Sequence, residues 1–216
     1  MDVEKTIRQV LSDGKEIPCI FDRIIEKLES YNDAPVHTYL EMRQRDNKAI
    51  KGLAWEQICQ WYLLKVKKYD KVWLWKEIPE EVKEELGLKM RADNGIDIVA
   101  QKYCKYTAVQ CKYKKRQIAK GRKTVKVSWK TLSTFLGLVS RCGEWQHHIV
   151  MTNCHGVGKW QIPRSPKDKT IAYGTFKNLT RLDCVSEGIS VVEEVVKVKS
   201  DAEIRAARLA IFDKKI

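Results

Sequence analysis

The chain has 216 residues, of which 41 are Lys or Arg and 28 are Asp or Glu, giving a formal net charge of +13. That length allows one generous domain, or a domain with an appended subdomain, and the charge suits a polyanionic partner such as nucleic acid. No apolar run reaches bilayer length, Met1-Asp2-Val3-Glu4-Lys5 is no signal peptide, and the seven cysteines follow no framework spacing. The expectation is a non-secreted, intracellular protein with reduced thiols and no membrane association, cytoplasmic or nuclear, with a viral origin left open.

Residues 1–48 read as a helical N-terminal extension. Ile17, Ile20, Phe21, Ile24, Ile25 and Leu28 recur at helical spacing with Pro18 in the first turn, and a second helical stretch carries Tyr39, Leu40 and Met42. Asn47 is placed to cap a longer helix to about Lys68, with Ile50, Leu53, Ala54, Ile58, Trp61 and Leu64 on its apolar face. Lys71 to Ile78, aromatic and branched, reads as a strand stopped by Pro79, followed by an acidic helix from Glu80 to Leu86 with Gly87 as its C-cap. Strands are predicted over 95–101 and 106–113, then a basic loop, a helix from Lys130 to Arg141 and a strand from Gln146 to Thr152. Residues 156–216 form a C-terminal extension expected to pack on the core, with a short strand around Thr170 to Phe176 and a last helix announced by Ser200-Asp201-Ala202-Glu203. Such an order describes an α/β fold, a mixed β-sheet flanked by helices, with its core in residues 49–155.

Two adjacent strands carry the chemistry. Asn94-Gly95-Ile96-Asp97-Ile98-Val99-Ala100 precedes Ala108-Val109-Gln110-Cys111-Lys112-Tyr113. Side chains alternate along a strand, so Ala108, Gln110 and Lys112 share one face while Val109 and Cys111 take the other. Two polar groups beside Asp97 on otherwise apolar strands are costly to bury unless they bind something. The economical reading is a divalent-metal site with an adjacent lysine, the equipment for cutting a phosphodiester. Taken singly, each residue has a blander role: Asp97 in a turn after Gly95, Gln110 and Lys112 on a solvated face, Glu56 on a helix surface.

Glycine–hydrophobic–Asp–hydrophobic–hydrophobic–Ala followed by hydrophobic–Gln–Cys–Lys–aromatic resembles the Mrr-type branch of the PD-(D/E)XK nuclease superfamily, whose members share the restriction-endonuclease-like core. Val72-Trp73-Leu74-Trp75-Lys76-Glu77-Ile78-Pro79, Lys130-Thr131-Leu132-Ser133-Thr134-Phe135 and Ile149-Val150-Met151-Thr152-Asn153 are similar to the same branch, which includes nuclease domains attached to superfamily II helicases. The resemblance covers about residues 50–155 and implies a metal-dependent endodeoxyribonuclease. By it, Asp97 is the central metal ligand, Gln110 stands where most of the superfamily has Asp or Glu, Lys112 serves the attacking water, and Glu56 on the first core helix supports the metal. Mg²⁺ would be bound by Asp97, the Gln110 carbonyl oxygen and the backbone carbonyl of Cys111, with a water bridging to Glu56 and with Mn²⁺ as a substitute. Gln110 leaves one fewer charge for the cation, so looser binding is expected.

Between residues 112 and 130 the chain has no acid, and Lys114, Lys115, Arg116, Lys120, Arg122, Lys123, Lys126 and Lys130 read as a surface for DNA phosphates. The alternative there is a solvated loop. Ser133 and Thr134 open the next helix and suit a phosphate contact, although capping explains them equally. His147, His148, Cys154 and His155 match no common zinc spacing. Trp73 and Trp75 are expected on one face of their strand, in the core. A homodimer is the natural way to cut both strands, a helicase partner or linked helicase region follows from the resemblance, and the rival reading is a degenerate, non-cleaving DNA-binding module.

Overall fold

The computed structural model describes residues 3–12, 19–33, 47–88, 95–114, 125–159 and 163–184. At its centre is a five-stranded mixed sheet in the order β1-β2-β3-β4-β5. The strands are β1 (Lys71–Leu74), β2 (Ile98–Lys102), β3 (Lys105–Lys112), β4 (Trp145–Thr152) and β5 (Asp168–Ile171). β1, β2 and β3 form an antiparallel meander, and β3, β4 and β5 run parallel. The helices are α1 (Val3–Ser12), α2 (Ile20–Asp33), α3 (Asn47–Trp61), α4 (Glu80–Glu85), α5 (Ser133–Val139), α6 (Tyr173–Phe176) and α7 (Arg181–Cys184). This is the α/β architecture expected from the order of elements. Among the described residues no helix is long and apolar enough to cross a membrane.

Alternation along β3 builds two cores. Val109 and Cys111 point to one face, where Trp55, Ile58, Cys59, Tyr62 and Leu63 of α3 and its continuation pack with Ile7, Phe21, Ile24 and Leu28 from α1 and α2. Phe21 stacks on Phe176 with ring centroids 4.7 Å apart, and Trp55 Nε1 donates to the Met151 carbonyl. Ala108 points to the other face, into a second cluster with Val99, Val150, Phe135, Val139, Leu86 and Leu88. A parallel strand buried on both faces reads as a near-continuous apolar run, as Ile149-Val150-Met151 does in β4.

Several boundaries differ from expectation for local reasons. The strand expected over 71–78 ends at Leu74, because the Glu77 carboxylate accepts the Leu74 N–H at 3.1 Å and closes a 3-10 turn over Trp75–Glu77. Trp73 and Trp75 still pack against the same cluster. Past α3 the helix widens over Tyr62–Val66, where the Lys67 N–H reaches the Tyr62 carbonyl five residues back. The strand expected around Thr170 to Phe176 lies earlier and gives way at Ala172 to α6, whose first N–H, from Tyr173, bonds the Cys154 carbonyl. The helix expected from Lys130 begins as a 3-10 turn over Trp129–Leu132 and is α-helical only through Val139. Gly87 does end α4: at φ +65° it forms a Schellman motif in which Leu88 N–H bonds Lys83 and Gly87 N–H bonds Glu84. The expected helices at Tyr39–Met42 and after Ser200 lie outside the described residues.

One buried group makes the fold sensitive to acid. His147, opposite Thr107 in the β3–β4 register, has its Nδ1 buried without a hydrogen-bond partner. Burial, with Lys169 and His148 adding, holds its imidazole below the usual 6.5. Because the folded value is depressed, protons bind the unfolded chain preferentially; the contribution is intact above about pH 6.5 and is lost as pH falls. His147→Leu should therefore shrink the fall in Tm between about pH 7.5 and about 5.5, as thermal denaturation would show; an unchanged pH slope would remove His147 from the account.

Candidate active site

Asp97 stands immediately before β2, and hydrogen bonds tie it to β3 and to the 3-10 turn that follows β1. Its N–H donates to Val109 of β3 and its carbonyl accepts the Trp75 N–H, both at 2.9 Å. Its carboxylate Oδ2 accepts the Cys111 N–H at 2.5 Å and the Gln110 side-chain amide. Asp97 is 7% exposed and Gln110 2%, so both polar groups are withdrawn from bulk water and their partners decide their state. Two donors on one carboxylate oxygen stabilise its charged form.

Gly95 makes this approach possible. Its φ is +110°, and a Cβ there would lie 3.0 Å from the Phe135 nitrogen and 3.4 Å from Gln110 Oε1. The first turn of α5 therefore rests against the backbone that leads into Asp97, beside the Gln110 amide. Ser133 and Thr134, exposed on that turn, are carried to the same neighbourhood; the Ser133 hydroxyl donates to the Lys130 carbonyl at 2.9 Å.

Lys112 ends β3 half-buried, two residues beyond Gln110 and opposite Thr152 of β4. Glu56 is half-buried on α3, one turn before Cys59. Its carboxylate and that of Asp97 both act on the thiols of Cys59 and Cys111, which hydrogen-bond to each other. Burial, more than either carboxylate, pushes both thiols up, Cys111 furthest. Of the four residues picked from the sequence, Asp97 and Gln110 meet beside the Cys111 N–H, Glu56 acts with Asp97 on the Cys111 thiol, and Lys112 follows on β3 on the Gln110 side. Cys111 enters through its N–H. Among the described residues no group of three or more His, Cys, Asp and Glu side chains is arranged to hold a metal. The donors at hand are the Asp97 carboxylate, the Gln110 amide and backbone carbonyls, all oxygen, which fits a hard cation that keeps much of its water.

Where β3 leaves the sheet, Asn153 grips the chain. Buried at 6% exposure, it accepts the Lys114 N–H at 2.9 Å and donates to the Lys114 carbonyl at 2.7 Å. Beyond the basic loop, His155 N–H bonds Val125, and Val127 exchanges bonds with Gly156 and Gly158. The Lys114 ammonium donates to the Lys126 carbonyl at 3.0 Å. Lys114, Lys126 and Lys130 are exposed near this seam, whereas Lys115, Arg116, Lys120, Arg122 and Lys123 lie outside the described residues. Sequence reasoning gave Asn153 no role, since its partner is 39 residues away and nothing local marks the pairing. His148 pairs with Asp168 at 2.9 Å, and no zinc site forms around it among the described residues.

Residues 64–160 match the family model described as restriction endonuclease. No curated protein and no solved structure matches the chain.

Asn153→Ala should leave the Lys114 N–H and carbonyl without their partner, at a cost of about 1–3 kcal/mol. That corresponds to a Tm lower by roughly 2–12 °C for a chain of this size. A Tm within a degree or so of wild type would mean that the grip adds nothing to stability.

Proposed function

We propose that this chain is a metal-dependent endodeoxyribonuclease, a reading supported by the match of residues 64–160 to the restriction endonuclease family model. Asp97 and Gln110 hold Mg²⁺ (or Mn²⁺), Lys112 serves the attacking water, and Glu56 assists through a bridging water. The observation that carries this reading is the buried meeting of the Asp97 carboxylate and the Gln110 amide, with Lys112 next on the same strand face.

A divalent cation bound there lowers the pKa of a coordinated water and offsets charge on the phosphate. Asp97 supplies the full negative charge and is aimed by Cys111 N–H. Gln110 supplies a neutral oxygen once its amide presents Oε1 instead of Nε2 to the Asp97 side. Lys112 holds or takes the proton of the nucleophilic water and offers a positive charge to the phosphate. Buried apolar neighbours Ile96, Ile98 and Val109 keep bulk water from the back of the site.

The basic residues from Lys114 to Lys130, with Ser133 and Thr134, contact phosphates on the approach to the site, positioning DNA without reading its sequence. Because one site cuts one strand, two copies of the chain together make a double-strand break. A helicase region, linked or separate, belongs to the same proposal through the resemblance. One observation favours a second reading, a DNA-binding module that no longer cleaves: beside Asp97 stands the neutral Gln110 amide, which would offer a cation no second negative charge.

Wild type should nick or linearise supercoiled plasmid with Mg²⁺ or Mn²⁺ and stop on chelation, and Lys112→Ala should lower the rate by about 10²-fold or more. Wild type that binds DNA equally with and without metal and never nicks it establishes the binding module instead. Replacing Lys114, Lys115 and Arg116 together by Ala should reduce the slope of log K against log salt by up to about 3. An unchanged slope rejects those phosphate contacts.

A further inference from the structure

The end of the sheet opposite the candidate active site carries a feature that nuclease chemistry leaves unused. β2 and β3 are joined by a two-residue turn, Tyr103-Cys104, with Lys102 paired to Lys105 across it. Tyr103 has φ +50° and Cys104 φ +58°. A turn with both central residues left-handed selects Asn-Gly or Asp-Gly, because a Cβ is strained there. Of the non-glycine residues described with positive φ, the third, Lys68, belongs to this same end, beside the Lys67 carbonyl that Lys102 Nζ bonds at 2.8 Å. Strain of this kind is normally offset by burial, yet Tyr103 is 78% exposed. Packing does not explain an aromatic ring in such a place; contact with a partner does.

The surroundings state the partner's chemistry. Lys67, Lys68, Lys71 and Lys105 are exposed around the turn, and the Lys102 ammonium lies 5.6 Å from the ring centroids of both Tyr69 and Tyr103. Asp70 accepts the Tyr103 N–H at 2.7 Å, which ties its carboxylate to the turn, and Asp183 acts on Lys67. The result is an exposed ring braced by a cation in a field of lysines: a surface for phosphates, with a flat face for a base. Bases in duplex DNA are stacked on one another, so a ring can stack only on an unpaired base.

We propose that the β2–β3 turn binds single-stranded DNA, with Tyr103 stacking on a base and the surrounding lysines holding the backbone. From Lys105 to Gln110 the strand rises about 17 Å at roughly 3.4 Å per residue, so the turn grips an unpaired segment well away from the cutting site. The substrate class is then DNA with a single-stranded stretch next to the duplex that is cut. This rests on the proposed nuclease reading only in taking DNA as the polyanion.

The test is binding of labelled 20-mers in chelator, so that no cleavage enters: a single strand, the same strand made abasic, and its duplex. Wild type should bind the single strand more tightly than the abasic one. Tyr103→Asn should weaken single-strand binding about tenfold and leave abasic and duplex binding within twofold, while Tyr103→Phe stays near wild type. Asn tolerates the left-handed conformation, so its Tm should not fall, which separates loss of the ring from loss of the fold. Equal single-strand affinity in Tyr103→Asn and wild type, or an equal loss for the abasic strand, overturns the proposal. A plasmid assay run beside it keeps the two readings apart, since cleavage with an inert Tyr103 sinks only the turn, and base-dependent binding without cleavage sinks only the nuclease.

Discussion

A carboxylate buried where β2 begins, against β3 and the turn that follows β1, organises this protein. Left alone in an apolar seam, Asp97 would be unaffordable to the fold or would take a proton. Its backbone instead bridges Trp75 and Val109, and its side chain draws in the Cys111 N–H and the Gln110 amide. The bonds that make the charge tolerable also fix the direction of the carboxylate and the register of β2 against β3. The site is therefore set by the sheet, not by loops, and the loops bring the rest to it: Gly95 lets α5 lean in, and Asn153 holds the start of the basic segment.

The cysteines gain a physical role from the same geometry. Cys59 and Cys111 meet between α3 and β3 in full burial, and desolvation keeps both protonated. They fill space as small apolar groups, so neither thiol adds a negative charge beside Asp97 and Glu56. A site with oxygen donors and neutral thiols suits a hard cation better than a soft one.

The parts of the fold carried by period-two patterns and a local motif were legible in the sequence. β3 and β4 alternate or run apolar as expected, and Asp97, Gln110 and Lys112 followed from two short stretches whose pairing as adjacent strands was a simple inference. Glu56 enters the proposal only through resemblance, because a single helix glutamate has no distinguishing pattern. What escaped depends on contacts distant in sequence or on local competition for hydrogen bonds. β1 was read too long because Glu77 captures the Leu74 N–H, and α6 replaces the end of an expected strand because Tyr173 N–H goes to Cys154. The β2–β3 turn gave no turn signal at all, since Lys-Tyr-Cys-Lys contains neither Gly nor Asn.

Gln110 is the departure that ties stability to function. A glutamate in its place would set two carboxylates within hydrogen-bond reach in a seam that excludes water, and like charges there favour keeping one protonated or pulling the seam apart. The amide removes that conflict: its N–H donates to Asp97, so the seam closes without needing a cation. The same neutrality would leave the proposed cation with less charge to hold it. Fold and proposed cation would thus make opposite demands on position 110, and the amide meets the fold's demand. On the proposed reading, affinity for the metal would come from elsewhere, and the phosphate of a bound DNA strand, itself an oxygen anion, is the ligand that would supply it.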